Sequence, residues 1–197
     1  MARDAERTKR LLREAAVAEF ALYGLDGTTA ERIAARAGVN KERLYSYFGG
    51  KAALFATVLV EELDKVAAAV PIVVTCAEDL AQFAGETFDY LSEHPDLRRL
   101  VLWEGLADTG AVQDEANRRL HYDAKAQAIT EAQRQGLIDD TFSAPHLLML
   151  LLSLASWWYA APQVARMLTN GPADESEATA RRNAVVEAAR RLATPRR

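Results

Sequence analysis

An all-α chain of nine helices is what this sequence predicts, on three observations. Apolar residues recur at three- and four-residue spacing, and no segment shows a convincing strand pattern. The breaks between apolar stripes are filled by helix-ending residues, and no long linker, repeat or low-complexity tract interrupts them. Half of the residues are apolar and Ala/Leu-rich, whereas Gly and Pro number only 10 and 6 in 197. Leu12, Ala16, Phe20 and Tyr23 make the first stripe, which Gly24 stops. Thr28-Thr29-Ala30-Glu31 then reads as a capping box, with Thr28 accepting from a free amide of the next helix and Glu31 reaching back. That helix is short, because Gly38 follows. Asn40 caps a second short helix through Leu44 and Tyr45, which ends at Gly49-Gly50.

A longer helix runs from Lys51 to Val70 and stops at Pro71, and another covers Glu78–Glu93 before His94-Pro95. Asp96–Leu106 is short, and Val112–Gln135 is long and closed by Gly136. Ser143-Ala144-Pro145 opens the eighth helix, which continues to Leu168 with a kink weighed at Pro162. The last spans Asp174–Leu192, acidic at its start and basic at Arg190-Arg191, which suits the helix dipole.

Composition narrows the function classes. The length fits one domain or two small ones with a real core. A single cysteine, Cys76, excludes a disulfide framework and any multi-thiolate zinc site. His94, His121 and His146 form no metal-ligand spacing, and no Gly-rich phosphate loop or nucleophile elbow is present, so no metal, cofactor or catalytic set is expected. The enzyme alternative that stays open is a small helical enzyme using Cys76. The charged first residues lack an apolar signal core, so a cytoplasmic protein is expected. Leu147–Ala161 is almost wholly apolar, but its 15 residues fall short of the roughly 20 that span a bilayer. A helix apolar all round needs burial on every side, which in a small helical protein points to a second subunit. Charge is divided unevenly: residues 1–55 carry 10 Lys and Arg against 7 Asp and Glu, the remainder 14 against 21. A mildly basic N-terminal segment on an acidic body suggests that one end meets a polyanion.

Residues 28–51 are the most informative. Ala34 is small enough for a second helix to cross closely, and Gly38 can take the left-handed conformation of a sharp turn. Ile33, Val39, Leu44 and Phe48 fill the wedge, leaving Asn40, Lys41, Glu42, Arg43, Tyr45, Ser46 and Tyr47 available to a partner. A recognition helix in a major groove presents such residues, although periodicity alone also fits an ordinary helix hairpin.

The run Thr29-Ala30-Glu31-Arg32-Ile33-Ala34-Ala35-Arg36-Ala37-Gly38-Val39, followed by Leu44-Tyr45-Ser46-Tyr47-Phe48-Gly49-Gly50-Lys51, closely resembles the DNA-binding domain of the TetR/AcrR family of bacterial transcriptional regulators. The resemblance covers about residues 7–55; beyond it, only helix number and order match. It implies a nine-helix homodimeric repressor, with a helix-turn-helix DNA-binding domain over residues 1–52 and an effector-binding and dimerisation domain over 53–197. It further implies a double-stranded operator with an inverted repeat, released when a small molecule binds the second domain; the candidate pocket residues named below lean towards an apolar or aromatic one.

By the same resemblance, Thr29 contacts phosphate at a helix N-terminus, and Lys41 and Arg43 reach phosphate or guanine edges. Tyr45 and Tyr47 touch the backbone or a thymine methyl, and Lys51 binds phosphate. Glu42 and Arg43 depart from the family's usual small and hydroxyl residues: Glu42 suits a cytosine amino group or pairs with Lys41 or Arg43. Phe83, Phe88, Trp103, His121, Tyr122 and Met149 are the candidate effector contacts, with ordinary core as their alternative. Leu150, Leu154, Trp157, Trp158, Val185 and Ala189, on the last two helices, are the candidate dimer interface. A ligand-independent DNA-binding protein and a transcriptional activator remain open beside the repressor.

Overall fold

Ten α-helices and no strand account for the described residues of the computed structural model, which are 2–107, 110, 112, 114–169 and 175–195. In chain order they are α1 (Ala2–Tyr23), α2 (Ala30–Ala37), α3 (Lys41–Phe48), α4 (Lys51–Ala69), α5 (Ala77–Glu93), α6 (Pro95–Ala107), α7 (Glu115–Arg134), α8 (Ala144–Ala160), α9 (Pro162–Thr169) and α10 (Glu175–Ala193). The all-helical expectation holds, with one helix more than the nine expected. The additional one comes from the predicted eighth helix, which ends at Ala161 and resumes after a bend of 85°. Pro162 causes the break: it has no N–H to donate, and it disfavours helical conformation in the residue before it.

The described residues fall into two compact units: Met1–Lys65 with Pro95–Asp114, and Val66–His94 with Glu115–Arg197. This division differs from the boundary expected after residue 52. Leu54, Phe55, Val58 and Leu59 of α4 are buried in the same core as Leu12, Ala16 and Phe20 of α1, and Leu100 of α6 joins them. Phe20 and Phe55 meet edge to face with ring centroids 5.1 Å apart. Trp103 lies over Gly24 at the end of α1, and its indole N–H donates to the Ala21 carbonyl at 3.3 Å.

The second unit is built on α5. Leu80, Phe83, Ala84 and Phe88 pack with Ile129 of α7, Leu147 and Leu151 of α8, and Val185 and Ala189 of α10. Gly85 permits the closest crossing, since a Cβ there would stand 2.8 Å from Val186 of α10. Arg182 grips both oxygens of Asp89 at 2.8 and 2.9 Å, and Arg190 grips Glu78 at 2.6 and 2.9 Å. The chain's own core covers only part of α8: Met149 and Trp157 are each about two-thirds exposed within one chain (64% and 65%). Among the described residues no single helix is long and apolar enough to cross a membrane, although α8 and α9 pass that test as a bent pair.

Candidate functional site

The helix pair α2–α3 owes its geometry to its caps. Thr29, extended at φ −129° and ψ 158°, accepts from the Arg32 amide at 3.3 Å and starts α2. The cap is therefore one residue later than the expected Thr28. Thr28 is instead buried and donates its hydroxyl to Glu19 of α1 at 2.9 Å, while Glu31 pairs with Lys41. At the other end Gly38 adopts φ 68° and ψ 33°. Its amide bonds to the Ala35 carbonyl and that of Val39 to the Ala34 carbonyl, the two bonds of a left-handed helix stop. A side chain at Gly38 would meet no neighbour, so the backbone conformation alone requires glycine there.

Three donors converge on Glu19 and fix α2 against α1. Besides Thr28, Arg32 Nε lies 3.0 Å and Arg36 Nε 2.9 Å from its oxygens. Burial pushes the Glu19 carboxyl up, but the bonds from Thr28, Arg36 and Arg32 outweigh it, and the group ends below its ordinary value. Arg32 also lies 4.0 Å from the Tyr23 ring centroid.

This frame buries Leu44 of α3 and turns Asn40, Lys41, Glu42, Arg43, Tyr45 and Ser46 to solvent. Thr29 is exposed alongside them. Tyr47 is half-buried against the core, with the Lys9 ammonium 5.7 Å from its ring centroid. Asn40 holds the N-cap position of α3 without a side-chain capping bond. Lys41 pairs with Glu31 at 3.0 Å, a bond that raises the lysine's pKa and lowers the carboxylate's. Arg43 donates Nη1 to the Thr8 hydroxyl at 3.1 Å and lies 3.4 Å from Asp4. Lys51 donates to the Thr28 carbonyl at 2.9 Å. Glu42 forms neither of the ion pairs considered for it: Lys41 takes Glu31 and Arg43 takes Asp4. The surface thus carries Lys41 on an exposed ion pair, Arg43 moored on Thr8 and Asp4, and Lys51 on a backbone carbonyl, with the Glu42 carboxylate between the first two. Lys41 can exchange Glu31 for phosphate or a base edge at little cost, because an exposed ion pair is weak.

The candidate effector residues scatter. Phe83 and Phe88 are buried, and Phe88 packs on Tyr159 at 5.1 Å between ring centroids. Tyr122 and Met149 come together in a cleft of about 290 Å³ between α7 and α8, with Asp123, Ala126, Pro145, Leu148 and Leu152. His121 is exposed on α7, and Trp103 belongs to the first unit. Of the candidate interface residues, Leu150 and Trp157 are exposed on α8, while Leu154 and Trp158 are half-buried, with Arg181 5.5 Å from a Trp158 ring. Val185 and Ala189 are not available to a partner: they are buried in the core of their own unit. An alanine-rich helix offers apolar residues on more than one face, and the core takes the face bearing Val185.

Three participants escaped the sequence reading. Thr8 and Glu19 fall on the apolar stripe of α1, where a polar residue is itself a signal of a buried bond. Lys125 of α7 donates to the Val70 carbonyl at 2.6 Å and lies 5.2 Å from the Phe83 ring centroid, and burial pushes its ammonium below the ordinary value. Cys76 is exposed at the head of α5, where its amide donates to Asp79 at 3.1 Å. Among the described residues no group of three or more His, Cys, Asp and Glu could hold a metal ion.

A short helix pair with a glycine-set turn and a polar outer face defines a helix-turn-helix protein. Residues 12–58 match the family described as bacterial regulatory proteins, tetR family, and residues 79–191 match the tetracyclin repressor-like C-terminal domain. The chain belongs to the TetR family of transcriptional regulators. It is 40% identical over 192 residues to the HTH-type transcriptional repressor SCO4008 of Streptomyces coelicolor, covering 97% of each chain. The crystal structure of the putative transcriptional regulator SCO4942, also from Streptomyces coelicolor, superposes with a TM-score of 0.81 at 32% identity, over 94% of this chain and 98% of that one. AibR, solved in complex with isovaleryl coenzyme A and operator DNA, shares the fold with a TM-score of 0.73 at 19% identity, over 92% of this chain and 97% of that one. With regulator membership established, the protein is not an enzyme, and the reading built on Cys76 is set aside.

Proposed function

We propose that the chain is a homodimeric, cytoplasmic repressor that binds an inverted-repeat operator and releases it when an apolar or aromatic small molecule binds its C-terminal part. The observation that carries this reading is the outward face formed by the N-cap Asn40 and by Lys41, Glu42, Arg43, Tyr45 and Ser46 of α3, held at a fixed angle by the Gly38 turn and flanked by exposed Thr29 before α2. Functionally, residues 1–52 read DNA and residues 53–197 carry effector and dimer contacts. Thr29 and Lys51 bind phosphate, Lys41 and Arg43 reach phosphate or bases, and Tyr45 and Tyr47 touch the backbone or a thymine methyl. The repressor assignment is supported by the name of SCO4008.

Two features support the rest. The cleft holding Tyr122, Leu148, Met149 and Leu152 offers an apolar wall with polar groups at its edge, suited to a small ring-bearing effector. The exposed Leu150 and Trp157, with Leu154 and Trp158 beside them, give α8 an apolar face that a second copy would cover. A dimer reads successive major grooves only when its recognition helices stand about 34–36 Å apart. An effector that favours another spacing needs only about 1–3 kcal/mol of differential affinity to release the operator.

Selection of sites from random duplex DNA with the purified, ligand-free protein tests the proposal. The expected result is an inverted repeat with half-site centres about one helical turn apart. A folded dimer that enriches no repeat would overturn the ligand-free repressor.

A further inference from the structure

Arg43 has a specific mooring inside the first unit. Thr8, only 4% exposed, donates its hydroxyl to the Asp4 carbonyl at 2.9 Å and accepts Arg43 Nη1 at 3.1 Å. Because the hydroxyl proton is committed to Asp4, the acceptor lone pairs of Thr8 point in fixed directions. The Asp4 carboxylate, 3.4 Å from the same Nη1, is itself exposed and a weaker anchor. Both contacts use Nη1. Among the described residues Nε and Nη2 have no partner, and these two form the side edge of the guanidinium fork.

We propose that Thr8 is a positioning residue for sequence recognition: it anchors one corner of the Arg43 guanidinium so that the Nε/Nη2 edge is preorganised for the paired O6 and N7 acceptors of a guanine. A free arginine on a helix surface samples many rotamers and serves equally well as a phosphate contact. A fork fixed at one corner keeps the bidentate geometry that distinguishes guanine from other bases. Thr8 lies 35 residues from Arg43 on another helix and acts without touching DNA. The inference rests on the DNA-reading function proposed above and assigns to it one base step in each half-site.

Site selection with wild type, Thr8→Val, Thr8→Ser, Arg43→Ala and the Thr8→Val/Arg43→Ala double variant tests it. Wild type should select an inverted repeat with an invariant guanine in each half-site. Thr8→Val keeps the shape and loses the acceptor, and should weaken preference for that guanine about tenfold without changing affinity for non-specific duplex. Thr8→Ser should retain the preference. Arg43→Ala should lose it, and Thr8→Val should add nothing in that background. An unchanged guanine preference in Thr8→Val, or a uniform change across all sequences, would overturn the role of Thr8. Should Thr8→Val not fold, an Arg43→Ala protein that selects the wild-type site overturns it equally. A wild type that selects no repeat fails the functional reading first, so the two failures are distinct.

Discussion

The two compact units are held by different physics. In the first, α2 and α3 have eight residues each, too few to be stable alone, and each buries only a few side chains. A carboxylate whose side chain is 5% exposed, Glu19, bound by Thr28, Arg32 and Arg36, ties α2 to α1, and α3 is seated on it through buried Leu44. In the second, helices of 17 to 20 residues bury continuous apolar faces, and the ion pairs Arg182–Asp89 and Arg190–Glu78 lie in solvent at the rim. A directional polar network tolerates little change, whereas apolar packing accepts many residues of similar volume. A reader that must present side chains at fixed angles is better served by the first.

Removing the centre of the network should give the largest effect. Glu19→Ala leaves the buried Thr28 hydroxyl without its acceptor and frees two guanidinium groups, which are 46% and 43% exposed and can return to water. The expected destabilisation of the first unit is about 2–3 kcal/mol, less than for a fully buried pair. Thermal unfolding with amide hydrogen exchange should place the loss in α1–α3 and leave α5 and α10 protected; equal loss in both units would break the contrast between them.

Glycine substitutions sharpen the comparison at the next level. Gly85→Ala puts a Cβ 2.8 Å from the Val186 side chain, an overlap that forces Val186 or its helix to shift, for about 1–3 kcal/mol. Gly38→Ala meets no atom but keeps a left-handed residue, for about 1–2 kcal/mol. Equilibrium denaturation should show both. Operator affinity should fall further for Gly38→Ala than its stability loss explains, because the turn sets the angle of α3.

These contrasts also mark what could be read from the chain. The Gly38 turn, the apolar stripes and Leu44 were legible, because a left-handed stop and a 3.6-residue period are local properties. Which helix a distant one packs against is not local, so chain order alone puts α6 in the second part although Leu100 and Trp103 pack in the first. The cap moved from Thr28 to Thr29 for a related reason: adjacent threonines can both cap, and only the carboxylate on α1 decides which one does. Composition does not say which side of an alanine-rich helix meets its own core, so it cannot tell Val185 and Ala189, which are buried, from interface residues. The mooring of Arg43 on Thr8 joins residues 35 apart, beyond the reach of any spacing rule.

Acid titration discriminates more finely. The folded-state pKa of Glu19 lies below the ordinary 4.5, so its stabilisation is fully present above pH 4.5 and is lost as the pH falls through the lowered value. Glu19→Gln removes that dependence. The stability difference between wild type and Glu19→Gln should be constant at neutral pH and shrink steadily below about pH 4.5; a difference that grows on acidification would reverse the assigned shift.

The smallest expected effect concerns Lys51, where structure and binding compete for one side chain. Its ammonium donates to the Thr28 carbonyl, beside the Glu19 network, and two of its three N–H groups are left for phosphate. Lys51→Ala should therefore lower affinity for operator and unrelated duplex by the same factor and reduce the slope of log K against log salt by about one. Lys51→Arg should restore most of both. If Lys51→Ala instead weakens only operator binding and leaves the salt slope unchanged, the lysine acts by holding Thr28 in place, and the polar network itself becomes part of the reader.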